Sequence, residues 1–309
     1  MANITAKDVA ELRKRTGIGM MECKKALVEA DGDLDAAIKI LREKGELKAE
    51  SKMATRIAAD GVVAIAKDGD VTAMIEVNSE TDFVAKNETF KEFVNELLAI
   101  IIAQKPADID ALMACQYDAE MNVEAKMKEM IFKIGEKLTI RRFVIVNGIT
   151  STYIHGAGSI GVVVSFEADE AVAAKEEFAA FAKNIALQIG AFTTPYLDRE
   201  SVPASVIEDE KAIILAQMAN DPKNAGKPAN ILEKMVVGKL GKFYENNCLL
   251  DMEYFKDDDV TVGKYVANTA KELGGDIKIT GFFRFEKGEG IQKREENFAE
   301  EIAKLTNNQ

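Results

Sequence analysis

Cysteine is scarce in this 309-residue chain, and so are histidine and long apolar runs. Cys23, Cys115 and Cys248 are odd in number and scattered, with no C-x-x-C spacing. That usage matches a reducing compartment and excludes a disulfide framework or a thiolate metal site. His155 is the sole histidine. With no second histidine and no cysteine beside it, a metal cluster of ordinary spacing is excluded. No G-x-S-x-G or cysteine-nucleophile signature accompanies it either. A G-x-x-x-x-G-K-[ST] phosphate loop is absent, which argues against a nucleotide hydrolase. The longest apolar stretch, "LLAIIIA", is far below the roughly 20 residues that span a bilayer. "MANITAKDVAELRKRTG" lacks the apolar core of a secretory signal. The expectation is a soluble, cytoplasmic protein that does not engage membranes.

What the chain does have is an acidic, globular composition. Apolar residues make up 47% and charged residues 30%, which excludes a disordered chain, and the length suggests two or three domains. The net charge of −12 repels phosphate backbones, so direct binding of nucleic acid is not expected. The acidity is uneven. Residues 1–60 hold 12 Lys and Arg against 11 Asp and Glu, and the remainder holds 28 against 41. The nearly neutral front segment is a candidate for a separate job.

Residues 5–45 read as three short helices broken by glycine. Thr5 and Asp8 form a capping-box pattern before "AKDVAELRKRT", and Gly17 and Gly19 follow it. "MMECKKALVEA" stops at Asp31-Gly32. Asp33 can cap "LDAAIKILREK", which is expected to end at Gly45. Val9, Leu12, Leu27, Leu34, Ile38 and Leu41 would form its small core. At about 40 residues such a bundle is marginal alone and suits a docking unit. Met20 and Met21 point about 100° apart on a helix. Either one is core and the other incidental surface, or the pair is an adaptable contact for a partner.

Beyond the connector "KAESKMATR" a plan occurs twice. "GVVAIAKDGDVTAMIEVN" is a hairpin turning at Asp-Gly-Asp, followed by a helix with Phe90, Phe93, Val94, Leu97, Leu98 and Ile101 on one face, and then by the strand "EKLTIRRFVIVNG". "TSTYIHGAGSIGVVVSFEA", "EEFAAFAKNIALQIGAFTTP" and "DIKITGFFRFEKGEG" repeat hairpin, helix and strand. The predicted class is α+β, with a duplicated core of two subdomains built on antiparallel sheets. Residues 200–220 and 229–245 are expected as an inserted antiparallel helical hairpin, with Ile207, Ile214 and Met218 facing Ile231, Met235 and Leu240. "EENFAEEIAKL" is read as a C-terminal helix, and "KDDD" at 256–259 as a solvated loop. The boundaries are 1–53 for the bundle, 54–146 for the first subdomain, 147–196 with 236–287 for the second, 197–235 for the hairpin and 288–309 for the C-terminal module.

"HGAGSIG" contains a literal G-x-G-x-x-G, but β-branched "VVVSF" follows it where a dinucleotide site needs a helix. The glycines are read as a hairpin turn, and His155 as a turn residue hydrogen-bonded to backbone or available to a partner. "NSETDFVAKN" is more open. Phe83 lies seven residues before Phe90, which places it on the buried face of an unbroken helix. Asn87 is a good cap for "ETFKEF", however, and would leave Thr81 to cap a separate turn presenting Asp82 and Phe83 with Val84 beside them.

The segments "LRKRTGIGMMECKKAL", "TDFVAKN", "IGEKLTIRRF", "YIHGAGSIGV" and "TGFFRFEKGEGI" resemble, in order, signatures of the translation elongation factor Ts family, whose N-terminal module is a ubiquitin-associated-like bundle. One departure is Ser159, where that family commonly has a basic residue. The resemblance implies a guanine-nucleotide exchange factor, not an enzyme making covalent bonds, with no cofactor. It implies elongation factor Tu, GDP-bound and nucleotide-free, as partner. It also implies that Asp82 and Phe83 insert between helices of the partner's G domain and disturb its Mg²⁺ and phosphate site. Thr81, Val84, Met20, Met21, Gly135 and His155 would share the contact surface with them. The helical hairpin would serve a homodimer, a 2:2 complex or additional partners. The rival expectation is a polypeptide-binding adaptor or chaperone acting through the bundle.

Overall fold

The computed structural model describes residues 4–16, 18–221, 224 and 227–292. The expected C-terminal helix over 295–305 lies outside the described residues. No helix among the described residues is long and apolar enough to cross a membrane.

The chain opens with α1 (Ala6–Thr16), α2 (Met20–Glu29) and α3 (Leu34–Thr55). Thr5 and Asp8 exchange side-chain and backbone hydrogen bonds ahead of α1, and the Asp33 carboxylate accepts from the Ala36 N–H to start α3. Val9, Leu12, Leu27 and Leu41 are buried as expected, joined by Cys23, Ala26 and Ala37. In contrast to the expected stop at Gly45, α3 runs on to Thr55. A mid-helix glycine costs only about 1 kcal/mol against alanine, and the flanking Glu, Lys and Ala are strong helix formers. The boundary drawn at residue 53 therefore falls inside a helix.

The first sheet has the order β1-β2-β3, all antiparallel, from β1 (Asp60–Asp68), β2 (Val71–Ser79) and β3 (Thr139–Asn147). Between β2 and β3 lie α4 (Asp82–Lys86), α5 (Glu88–Gln104), α6 (Ile109–Ala114) and α7 (Val123–Ile134). Neither α6 nor α7 is among the elements expected from the sequence. The second sheet has the order β4-β5-β8, from β4 (Ile149–His155), β5 (Ile160–Ala168) and β8 (Ile277–Glu286). Before β8 come α8 (Glu170–Ala173), α9 (Glu176–Ala191), α10 (Ala204–Ala219), α11 (Ala229–Asn247), the short ladder of β6 (Glu253–Tyr254) with β7 (Asp257–Thr261), and α12 (Val262–Leu273). "KDDD" is thus largely strand β7 and not a free loop.

Alternation along the strands builds four layers. Val62, Ala73, Ile75 and Val77 face α5, while their neighbours Val63 and Met74 face Val163 and Phe285 of the second sheet. Val162, Val164 and Phe166 turn the other way, onto α9 and α12. One residue along a strand changes layers because successive side chains leave opposite faces.

A charge is sealed at this inter-sheet seam. Glu76, fully buried, accepts from Arg141 at 3.0 Å, Arg142 at 2.7 Å and the Gly288 N–H at 2.8 Å. Two consecutive arginines reach one face because the ladder shifts register between Glu76 and Val77, and such a bulge breaks strict alternation.

The inserted helices α10 and α11 pack through Ile214, Met218 and Leu240, with Ile207 and Met235 partly covered. Ile231 is exposed, and Leu232 takes the position expected of it. α11 crosses residues 235–236 without a break, so the boundary drawn there also lies within a helix.

Candidate partner-binding site

Asn87 decides the conformation of "TDFVAKN". Its side-chain oxygen accepts from the N–H groups of Thr89 and Phe90, starting α5, while its own N–H closes α4 on the Val84 carbonyl. The continuous helix that would bury Phe83 is thereby broken. Phe83 is 80% exposed, and Val84 is 8% exposed within the α5 core cluster. The expected apolar pair is split: phenylalanine outward, valine inward.

Asp82 and Lys86 pair one turn apart at 2.5 Å. The Lys86 hydrogen bond holds the Asp82 carboxyl below its ordinary range, with the ammonium of Lys287 adding to the effect, and Asp82 in turn raises Lys86. Lys287 also pairs with Asp60 at the start of β1. Asp82 therefore stays ionised beside the exposed ring.

Thr81 occupies the N-cap position of α4, yet its hydroxyl makes no cap. It donates instead to Glu136 at 2.7 Å, and the Thr81 N–H donates to the same carboxylate at 3.0 Å. Gly135, immediately before, ends α7 with φ of +85°, a left-handed turn that suits glycine. The fold thus brings Thr81, Asp82, Phe83 and Gly135 together.

Met20 and Met21 sit elsewhere, on the first turn of α2, and both are exposed, at 57% and 66%. The reading of one core and one surface methionine is overturned. Cys23, Ala26 and Leu27 fill the bundle side of α2, so neither methionine is needed there. The bundle reaches the core through α7, whose Phe132 packs on it one turn before Gly135.

His155 is exposed, with its Nδ1 2.8 Å from the Tyr153 hydroxyl. It opens the glycine-rich turn 156–159, where Ser159 donates to the His155 carbonyl and closes the loop on itself. The turn docks on β1: the Val63 N–H donates to the Gly158 carbonyl at 2.7 Å. A β-carbon at Gly158 would overlap Val62 and stand 2.9 Å from the Val63 carbonyl, and one at Gly161 would stand 2.9 Å from the Met74 sulfur. The glycine spacing therefore serves sheet-on-sheet contact. Val62 belongs to the same cluster as Val84, so turn and exposed helix flank one strand.

Glu80, Glu136 and Glu76 are not among the site residues expected from the sequence. An acid in an apolar strand ("MIEVN") and adjacent arginines in another ("TIRRF") are the signal that reveals the buried cluster. The two loop glutamates carry no such signal. Among the described residues no three His, Cys, Asp or Glu side chains form a group able to hold a metal.

A family model described as "Elongation factor TS" matches residues 80–289. Relatives named Elongation factor Ts are similar across nearly their whole length. That of Clostridioides difficile (strain 630) is 48% identical over 308 residues, covering 98% of this chain and 99% of the relative. That of Clostridium botulinum (strain Alaska E43 / Type E3) is 45% identical over 306 residues, covering 97% and 98%. That of Syntrophotalea carbinolica is 43% identical over 307 residues, covering 98% and 99%. The chain belongs to the elongation factor Ts family.

Proposed function

We propose that this protein is a guanine-nucleotide exchange factor for the GTPase elongation factor Tu. The observation that carries the reading is Phe83, four-fifths exposed on a helix whose next residue is buried in the core. An aromatic ring held in water gains burial only when a partner receives it. If the receiving arrangement is the nucleotide-releasing one, binding biases the partner toward release. Linkage makes the effect reciprocal, so GDP and this protein weaken each other's binding.

On this reading Asp82 and Phe83 enter between helices of the G domain and displace the elements that hold Mg²⁺ and the phosphates. Thr81, Gly135, Met20, Met21 and His155 belong to the same contact surface, and Val84 supports it from beneath. Residues 1–53 act as a docking module, the two core subdomains as the main body, and 197–235 as an arm for a second copy or a further partner. No general acid or nucleophile is called for, because no covalent bond changes. The protein works in the cytoplasm.

The test is release of a fluorescent GDP analogue from elongation factor Tu, with wild type against Phe83→Ala. Wild type should accelerate release, and the variant should lose at least about tenfold, as for a central aromatic anchor. Folded wild type that leaves release unchanged would overturn the reading and favour an adaptor acting through the bundle.

A further inference from the structure

A five-residue helix has too few internal hydrogen bonds to hold its own direction. What aims α4 therefore lies outside it. Two loops exchange carboxylates at its N-terminal end. Glu136 receives both the N–H and the hydroxyl of Thr81, at 3.0 and 2.7 Å. Glu80 in return receives the Lys137 N–H at 2.5 Å, and is paired with Arg56 at 3.1 Å. The Lys137 ammonium reaches the Arg56 carbonyl at 2.8 Å, and the Ser79 hydroxyl donates to the Thr81 carbonyl at 2.9 Å. The first group of α4 is thus bolted to the end of α7, and Asn87 fixes the other end.

We propose that Glu136 is a positioning residue for nucleotide exchange: its carboxylate clamps Thr81 and thereby aims Phe83. This rests on the exchange-factor reading. Both groups that Thr81 offers are donors, so a two-oxygen acceptor suits the site better than an amide. A side chain already held in its binding direction avoids the ordering cost at encounter, and a loosened one binds in proportion to the fraction correctly placed. Thr81 thus gives up capping its own helix and is held by Glu136 instead.

The experiment titrates GDP release from elongation factor Tu with wild type, Glu136→Ala, Glu136→Gln and Thr81→Val. For Glu136→Ala, the concentration giving half-maximal release should rise about tenfold, the factor expected if only a tenth of the population keeps the ring aimed. Glu136→Gln should recover part of the loss, and Thr81→Val, which removes only the hydroxyl, should move the same way by less. In the Phe83→Ala background, Glu136→Ala should cause no further loss, because the clamp acts through the ring. Glu136→Ala within about twofold of an active wild type, below what a tenfold loss of aimed population would give, overturns the clamp and leaves the exchange reading standing. An equal further loss in the Phe83→Ala background also overturns it, as the mark of a general folding defect. A wild type without effect on release overturns both readings.

Discussion

Phe83 and Val84 are consecutive, yet one ring stands in water and the other side chain closes the core between β1 and α5. Their substitutions should therefore separate stability from function. Phe83→Ala should leave unfolding within about 0.5 kcal/mol of wild type, as surface changes do. Val84→Ala should cost about 1–2 kcal/mol, from lost burial of two methyl groups and the cavity left behind. Urea denaturation of both variants checks this, and a large loss in Phe83→Ala would contradict the exposed placement.

Glu76 ties the first sheet to the end of β8 through Arg141, Arg142 and Gly288. Burial by itself raises its pKa. The Gly288 N–H, Asn78 and the two arginines outweigh this, so the net shift is downward. A depressed carboxylate stabilises the fold above its unfolded pKa, about 4.3 for glutamate, and that contribution fades as pH falls through the folded value. Glu76→Ala should cost about 1–3 kcal/mol at neutral pH. The Gly288 N–H and the Asn78 amide lose a buried acceptor, while the partly exposed arginines keep water and, for Arg142, Glu289. The gap between wild type and Glu76→Gln should narrow as pH falls below about 4.3. The unfolded chain then takes up a proton at Glu76 that the folded state still refuses, and the narrowing ends only at the depressed folded pKa. Unfolding free energies measured across pH 3–7 decide it, on the scale of those values.

The glycine-rich turn offers a paired comparison. At Gly158, φ is +97° and a β-carbon would overlap Val62 and crowd the Val63 backbone. Gly158→Ala should cost about 2 kcal/mol or more, through strain and separation of the sheets. Gly156, with φ of +56°, would meet only the Ser159 side chain, whose hydroxyl can rotate away by giving up its exposed bond to the His155 carbonyl. Gly156→Ala should cost about 1 kcal/mol, mostly the left-handed penalty, since the lost Ser159 bond is exposed and water replaces it. Equal melting temperatures for the two variants would show that docking on β1 contributes nothing.

The cysteines should differ in reactivity. Cys248 is buried, and burial together with Asp251 pushes its thiol up to about 11. Cys115 is partly exposed, with a thiol raised by desolvation. The thiolate is the reacting species, so alkylation of native protein at about pH 8 should modify Cys115 first and leave Cys248 until unfolding. Peptide mapping after timed alkylation reads the order directly.

Periodicity made several elements legible. The face of α5 is buried residue for residue as its spacing predicts, and the hairpins close where Gly69-Asp70 and the run 156–159 place them. α7 was readable too, from Asn122 as its cap and from Val123, Met127, Met130 and Ile131, whereas β6 has only two residues and too little pattern to detect. Phe83 defeated periodicity, because a single cap at Asn87 outweighed a seven-residue spacing. Met20 and Met21 could not be placed from sequence, since which side of α2 faces the bundle depends on how the three helices pack.

By itself, then, the sequence determined the local elements and the family, because helical and strand periods, caps and ordered motifs are properties of neighbouring residues. Only the tertiary structure decided that Glu136 holds Thr81 across 55 positions, that Glu76 meets Gly288 across 212, and that Gly158 of the turn and Gly161 of β5 seat one sheet on another. Such contacts join segments whose separation along the chain carries no period, and they form only once the core has brought the loops together.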